Sequence, residues 1–282
     1  MLSVAAWATV ASAFKIALSS LLPSQLLLIA SATSLIIYTT ILIAKKELSS
    51  AFKINLKSAK SDLAVSLLNP TIYYMLLFTA YSQLPGQIAL VLNYTWTGFV
   101  VLFTAIFFKE KFTLQNYLLL LLGLIGVLLI ASKGSIAGFQ TNSMFGIICV
   151  ITSAVVWAAY WILSKRDSRK VEVRFFHSFL ISTILLIIYC LYSQNNFSLN
   201  YKSFFAAVYV GVFEMGITFI LWNKALDYTS NTAKTANLIY LSPLLSLLLL
   251  NLITNEAISI YTVFGLALIV VSIILQPKTK KN

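Results

Sequence analysis

Charged side chains are scarce in this 282-residue sequence, in which they make up 10% of the residues and only eight are acidic. Hydrophobic residues make up 60%, whereas a soluble domain has roughly 45–50%. A soluble fold needs more polar residues than this to cover its surface. The composition therefore excludes an ordinary soluble enzyme and indicates a chain that crosses a membrane several times.

Cysteine, histidine, glycine and proline are also few, and each scarcity excludes a class of protein. The two cysteines, Cys149 and Cys190, lie inside apolar runs, which excludes a disulfide scaffold. Ten glycines and five prolines exclude collagen-like and low-complexity chains. The single histidine, His177, has no cluster of metal ligands beside it, and no glycine-rich phosphate loop is present. We therefore expect no cofactor, no metal site and no enzymatic activity.

Long apolar runs dominate the rest of the chain. A membrane-spanning helix needs about 20 mostly apolar residues, and ten stretches of that size predict an all-α membrane protein with ten transmembrane helices. The predicted spans are 1–20, 23–43, 63–82, 86–108, 113–132, 143–164, 174–193, 203–223, 232–252 and 257–276, followed by a short basic tail at 277–282.

The basic residues lie mostly in the short gaps between these spans, where they indicate topology. Sixteen of the twenty fall in one set of alternate connections and two in the other. This bias predicts that both termini of a multi-pass protein of the cell (inner) membrane are cytoplasmic. Although the net charge is +12, no polar face carries bases interleaved with aromatic residues, so we expect no nucleic-acid partner.

The two halves of the sequence carry matching landmarks in the same order. Trp7 is followed by Lys15 at the same spacing that separates Trp157 from Lys165. A Lys-Glu pair that ends at Glu110 in the first half matches an Asn-Glu pair at 255–256 in the second. The repeats are predicted at 1–132 and 143–276. Because each has five spans, an odd number, the second enters the membrane from the opposite side. Inverted repeats build transporters with a midplane site between the halves.

At these landmarks the sequence resembles the EamA-type branch of the drug/metabolite transporter superfamily. The resemblance covers both halves and is carried by Gln-Ile-Ala-Leu-Val-Leu-Asn-Tyr-Thr-Trp at 87–96, Phe-Phe-Lys-Glu-Lys-Phe-Thr at 107–113, Trp-Asn-Lys-Ala-Leu at 222–226 and Leu-Ser-Pro at 241–243. It implies ten helices, two inverted five-helix repeats and a central substrate cavity. The Asn-Tyr-x-Trp stretch is most similar to the branch that includes aromatic amino-acid exporters.

Glu214 is the sharpest candidate for function, because it lies near the middle of an apolar span. A charged side chain there costs about 2.5 kcal/mol or more and usually serves a function. A carboxylate that gains and loses a proton can couple transport to a proton gradient, or it can contact the substrate. The alternative is a structural hydrogen bond to a neighbouring helix.

The other candidates for substrate binding are polar or aromatic residues within spans. They are Asn93, Tyr94, Trp96, Tyr240 (the repeat mate of Tyr94), Lys15, Trp7, Tyr74 and Trp157. An amide binds amino or carboxylate groups, and aromatic faces accept rings or cations. Helix packing is the alternative for the aromatic residues, and snorkelling to the membrane surface is the alternative for Lys15.

Two prolines inside spans, Pro70 and Pro243, are candidate gating hinges. Proline removes a backbone donor, and the carbonyl that this leaves unpaired can face a cavity. A kink without function is the alternative. Gly123 and Gly126 are expected to allow close helix packing.

Together these features predict a secondary transporter that exports small organic metabolites, with amino acids as the expected class, by alternating access. Its partners are a small-molecule substrate, the lipid bilayer and, through Glu214, protons, and it acts as a monomer or a homodimer. The alternatives are an importer of a nucleoside- or cofactor-like metabolite and a non-transporting membrane scaffold.

Overall fold

The computed structural model describes residues 1–52, 56–108, 113–132, 143–164, 167, 169–193, 200–228 and 241–275, and the regular structure in these ranges is helical. The helices of the first half are α1 (Leu2–Ala17), α2 (Pro23–Ala44), α3 (Leu48–Ala51), α4 (Leu56–Ser66), α5 (Tyr73–Gln83), α6 (Gly86–Asn93), α7 (Trp96–Phe108) and α8 (Leu114–Ser132). Those of the second half are α9 (Met144–Ser164), α10 (Val171–Ser193), α11 (Tyr201–Phe213), α12 (Ile217–Tyr228), α13 (Leu241–Thr254) and α14 (Ile260–Ile274).

Six helical stretches are long and apolar enough to cross a membrane. They are Pro23–Ala44, Lys60–Gln83, Gly86–Phe107, Met144–Ser164, Val171–Ser193 and Tyr201–Trp222. Four shorter apolar helices, α1, α8, α13 and α14, lie where the sequence predicts the remaining spans. The all-helical architecture thus agrees with the sequence, while the count of ten crossings stays a prediction.

The contacts between the two halves come in matched sets. α1 packs on α11 and α13, and its counterpart α9 packs on α5 and α7. α2 packs on α10 and α11, and its counterpart α10 packs on α2 and α4. The last helices of the halves, α8 and α14, pack on each other. When α4 and α5 are taken together as the counterpart of α11 and α12, exchanging the halves maps this set of contacts onto itself, which is the pattern that a two-fold relation between two repeats produces.

α8 and α14 pack closely against each other because glycines lie where they cross. A Cβ atom on Gly126 would lie 2.7 Å from the carbonyl oxygen of Gly265, and one on Gly123 would lie 2.9 Å from the hydroxyl of Ser272. Small residues allow helices to approach this closely in a membrane. The structure agrees with the expectation for these two glycines.

Three of the long helical stretches are interrupted near their middle. A π turn at Leu67–Ile72 separates α4 from α5, and in it Asn69 has an extended backbone (φ −142°, ψ 122°) before Pro70. Residues 94–95 separate α6 from α7, and residues 214–216 separate α11 from α12. Pro70 lacks the amide hydrogen that would continue the helix.

The break between α11 and α12 is stabilised by side chains of α2. The Tyr38 hydroxyl donates to the carbonyls of Met215 and Gly216 at 3.2 and 2.9 Å, and the Ser34 hydroxyl donates to the carbonyl of Gly211 at 2.7 Å. Backbone groups inside a membrane need such partners, since no bulk water reaches them. The break therefore belongs to the folded structure and positions the residue at its start, Glu214.

Candidate functional site

A cavity of about 450 Å³ lies between the two halves of the protein, a volume within the range typical of small-molecule sites. Its walls come from α1, α5, α6, α7, α9, α10, α12 and α13. Twelve lining residues are aromatic: Trp7, Phe14, Tyr73, Tyr81, Tyr94, Trp96, Trp157, Tyr160, Trp161, Phe175, Phe219 and Trp222. Such a wall favours a ligand with an apolar body.

Glu214 places a carboxylate in this cavity. The residue ends α11, and its amide donates to the carbonyl of Val210 at 2.8 Å. The hydroxyl of Tyr74 donates to its Oε1 atom at 2.9 Å, and Tyr74 itself is only 1% exposed. The cavity-facing carboxylate is therefore held from behind by a buried phenol.

Asn93 ties three helices together beside the cavity. Its amide nitrogen donates to the Tyr73 hydroxyl at 3.1 Å, and its amide oxygen accepts from the Ser153 hydroxyl at 3.4 Å. Ser153 is the tenth of the 21 residues of α9. At 1.5 Å per residue this places Asn93 roughly halfway along that helix, so its position is deep rather than interfacial.

The aromatic side chains form a continuous set that both halves supply. The ring of Trp157 lies 4.6 Å from that of Tyr73, 6.2 Å from Phe219 and 6.3 Å from Trp96, measured between ring centroids. Trp7 lies 5.6 Å from Phe219. These separations fall within the 4.5–7 Å range of favourable aromatic pairs, so the rings hold one another in place around the cavity.

One end of the cavity lies at the connection between α9 and α10 and is lined by Ser164, Asp167 and Arg174. Arg174 Nη1 donates to the carbonyl of Ser164 at 3.1 Å, while its buried Nε has no partner in the part of the chain that the structure describes. We call this the open end. The charge bias of the sequence predicts that it faces the cytoplasm.

A carboxylate network stabilises the connection at the open end. Arg169 binds the carboxylates of Asp167 and of the buried Asp62, and His177 Nδ1 lies 3.1 Å from Asp62 Oδ2. Burial opposes ionisation of Asp167, but its hydrogen bonds with Arg169 outweigh burial and hold the pKa of Asp167 below its ordinary value. Its contribution to stability is therefore present at neutral pH and is lost as the pH falls through that lowered pKa.

Buried aromatic rings pack at the opposite end of the cavity, which we call the closed end. Phe14 packs against Phe78 and Tyr81 at 5.0 and 5.1 Å between ring centroids. Behind these rings, Lys15 Nζ lies 3.6 Å from Glu256 Oε1 and donates to the carbonyls of Tyr81 and Leu84 at 3.3 and 3.2 Å.

Gln87 completes this closure by holding the connection between α13 and α14. Its side-chain oxygen accepts from the backbone amide of Ser259 at 2.9 Å, and its backbone amide donates to Glu256 Oε2 at 3.3 Å. We call Lys15, Gln87 and Glu256 the closed-end cluster. It joins α1, the start of α6 and the α13–α14 connection.

The structure brings most of the predicted site residues together. Six of them line the cavity: Trp7, Asn93, Tyr94, Trp96, Trp157 and Glu214. Tyr74 lies behind Glu214 and not in the cavity wall. Tyr240 lies outside the described residues.

Lys15 and the two prolines lie outside the cavity wall. Lys15, for which substrate binding and snorkelling are both predicted, lies in the closed-end cluster, where Glu256 and two carbonyls hold its ammonium. Pro70 lies in the π turn, as a helix-breaking residue should. Pro243 lies in a helical part of α13, close to residues 229–240, which are outside the described ranges. The roles of both prolines as gating hinges stay predictions.

Several residues of the cavity wall were not among the candidates predicted from the sequence, notably Tyr73, Phe219, Trp222 and Arg174. Phe219 and Trp222 follow Glu214 by five and eight residues on α12. Their spacing of three residues puts both on one face of the helix, which is a signal that the sequence carried.

The EamA-like transporter family matches residues 1–132 and 144–276. The chain belongs to this family. It is thus a multi-pass membrane protein, and its family relationship is to transporters of small molecules rather than to enzymes. The two matched stretches correspond to the two sets of helices that pack against each other here.

Individual relatives agree with the family assignment. An "Uncharacterized transporter" of Archaeoglobus fulgidus is 26% identical over 71% of this chain and 70% of that protein. The "Aromatic amino acid exporter YddG" of Ancylobacter novellus is 27% identical over 63% of this chain and 62% of that protein. A crystal structure that is 21% identical has a TM-score of 0.69 over 96% of this chain and 92% of its own, so this EamA-like chain shares its fold.

Proposed function

We propose that this protein is a secondary transporter that exports amino acids by alternating access, with Glu214 as its proton-coupling group. The single observation that carries the proposal is a carboxylate at a helix break, facing an aromatic cavity between two repeats. The relative named as an aromatic amino acid exporter supports the substrate class.

Alternating access is supported by the difference between the two ends of the cavity. At the open end the cavity wall reaches the connection between two helices, at Ser164 and Arg174, while at the other end the contacts of the closed-end cluster join three elements. An exporter loads its substrate from the cytoplasm, which is the side that the charge bias predicts for the open end. Release then requires the closed-end cluster to separate and the open end to close.

Proton coupling is supported by the surroundings of Glu214. A charged carboxylate among apolar side chains in a membrane is unfavourable by about 2.5 kcal/mol or more unless it is paired. A proton or a positively charged substrate group removes that penalty. Alternate occupation of one carboxylate by the two would link their movements.

Transport in proteoliposomes tests this proposal. Counterflow of a labelled aromatic amino acid, measured with and without a pH gradient, is expected to respond to the gradient in the wild-type protein and not in Glu214→Gln. The matched control is Glu47→Gln, which removes a surface carboxylate paired with Lys170. An unchanged gradient response in Glu214→Gln would contradict the role of Glu214.

The same assay tests the substrate and the class of protein. Counterflow of nucleosides without counterflow of amino acids would contradict the proposed substrate class. It would favour the alternative, a transporter that imports or exchanges nucleosides. Absence of counterflow with every metabolite tried, for a protein that elutes as a single folded species, would favour a non-transporting scaffold.

A further inference from the structure

We infer that the cavity recognises its substrate through a positively charged nitrogen, so that its ligands are organic ammonium compounds with an apolar, ring-bearing body. The nitrogen lies at Glu214 and the body lies among the aromatic rings. This inference rests on the proposed function, because it assigns the substrate class of the same cavity.

The distribution of charge in the cavity is the first argument. Among its described lining residues, three carry acidic or basic side chains: Glu214, Asp167 and Arg174. Asp167 and Arg174 lie together at the open end, where an acidic group offsets a basic one. Glu214 lies at depth, beside Tyr74 and the α11–α12 break. The deep part of the described cavity therefore offers a carboxylate without a basic partner, and in its ionised form this carboxylate is complementary to a cation.

The aromatic rings near Glu214 are the second argument. Tyr73 stacks edge-on against Tyr74 with centroids 4.6 Å apart, and Trp157 lies 4.6 Å from Tyr73 on the side of the cavity. The face of an aromatic ring is electron-rich and attracts an ammonium group within about 6 Å, most strongly where water is excluded. A carboxylate beside such faces is the arrangement that binds an organic ammonium group.

The third argument is the position of the basic groups, because it distinguishes amines from amino acids as ligands of the cavity. Lys15 is engaged by Glu256 and lies outside the cavity wall. Arg174 is held at the carbonyl of Ser164, which is seven residues beyond Trp157 on α9, or about 10 Å along the helix axis.

This separation is too large for one α-amino acid to bridge. Its ammonium and carboxylate groups are attached to the same carbon, so a molecule whose nitrogen lies at Glu214, next to the Tyr73–Trp157 pair, does not span this axial offset to the Ser164 end of α9. The described residues at depth thus offer a carboxylate for the nitrogen and rings for the apolar body, but no basic group for the substrate carboxylate. We therefore expect an amine to bind at least as tightly as the amino acid with the same ring.

Three probes that share an indole ring test the inference. Tryptamine carries an amine, tryptophan carries an amine and a carboxylate, and indole-3-propionate carries a carboxylate alone. Their binding to purified full-length protein in detergent is measured by calorimetry. Tryptamine is expected to bind at least as tightly as tryptophan and about tenfold or more tighter than indole-3-propionate.

Two variants at Glu214 separate a recognition role from a loss of folding. Glu214→Gln is expected to weaken tryptamine binding about tenfold or more and to remove the preference for the amine over the carboxylate. Glu214→Asp keeps the charge and is expected to keep that preference. The surface variant Glu47→Gln is expected to bind all three probes as the wild-type protein does.

Three results would overturn the inference: binding of indole-3-propionate as tight as that of tryptamine, binding of tryptophan about tenfold tighter than that of tryptamine, or no binding of tryptamine at millimolar concentration. The proposed function is tested separately by counterflow. Binding of tryptamine without counterflow of any metabolite would support the ligand class and contradict transport, whereas counterflow of a carboxylate without an amine would contradict the ligand class alone.

Discussion

Tyr74 shows how a single residue can matter to a site that it does not line. Its ring is buried between helices, and its hydroxyl donates a hydrogen bond to Glu214, which lines the cavity. A hydrogen bond to a carboxylate contributes about 1.5–3 kcal/mol. We therefore expect Tyr74 to act as a positioning residue that orients Glu214 toward a ligand.

Tyr74→Phe removes this hydrogen bond and leaves the packing of the ring in place. We expect the substrate concentration for half-maximal counterflow to rise about tenfold, while the maximal rate changes less, because a misplaced carboxylate weakens binding. The matched control is Tyr209→Phe, which removes a hydroxyl bonded to Thr9. A loss of maximal rate alone, or an equal effect of both variants, would contradict the positioning role.

At the scale of helices, the crossing of α11 and α2 depends on one glycine. A Cβ atom at Gly211 would lie 2.6 Å from the carbonyl oxygen of Ala30 and 2.6 Å from the Cβ of Thr33. Neither atom can move without moving α2, which also supplies the hydroxyls that stabilise the α11–α12 break. The packing of this crossing and the position of Glu214 are thus coupled.

Gly211→Ala is expected to destabilise the protein by about 1–3 kcal/mol, as overpacking does. The melting temperature in detergent should fall by roughly 3–10 °C. Gly98→Ala is the control, because its Cβ would make an ordinary contact of 3.4 Å with Leu120. Equal melting temperatures for the two variants would show that the α11–α2 crossing is not tightly packed.

The closed-end cluster joins three elements that must separate if the cavity is to open on that side. Lys15→Met removes the ion pair with Glu256, and a half-exposed pair of this kind contributes up to about 1 kcal/mol. We expect the population open at that end to rise by about threefold to fivefold.

The change in this population can be measured by labelling Ser246→Cys, a buried position in the cavity wall, after replacement of Cys149 and Cys190. A membrane-impermeant reagent added from outside should react faster in the Lys15→Met background. Lys45→Met, which removes the ion pair with Glu172, is the control. Slower labelling with Lys15→Met would show that the pair does not hold this end closed.

At the scale of the whole molecule, the orientation of the chain in the membrane can be tested. The charge bias predicts that Lys60 lies on the cytoplasmic side and Lys202 on the outer side. In a background without the native cysteines, Lys202→Cys should react with an impermeant maleimide in intact cells, and Lys60→Cys only after permeabilisation. The reverse pattern would invert the direction of transport, and labelling of both in intact cells would contradict the topology.

Much of the architecture follows from local properties of the sequence. Apolar run length predicts helices, because a membrane leaves backbone groups no other partner than the helix itself. The aromatic and polar residues within the spans were therefore good guides to the cavity, since a polar group at that depth needs a partner or water. Asn93 and Glu214 are the clearest cases.

Contacts between distant residues could not be predicted in the same way. Lys15 and Glu256 lie 241 positions apart, and nothing in either neighbourhood says that they meet. The same holds for Tyr74 and Glu214, whose pairing depends on how the π turn and the α11–α12 break direct their helices.

The amino-acid sequence by itself determined which segments are helical, that one of them is interrupted at Pro70, and that both halves follow one plan. These are consequences of burying the backbone in an apolar medium. Only the tertiary structure decided that Lys15 pairs with Glu256, that Tyr74 holds Glu214 from behind, and that Arg174 is held at the carbonyl of Ser164. Those outcomes depend on the packing of helices, and side chains that meet across such a contact carry no shared pattern along the chain.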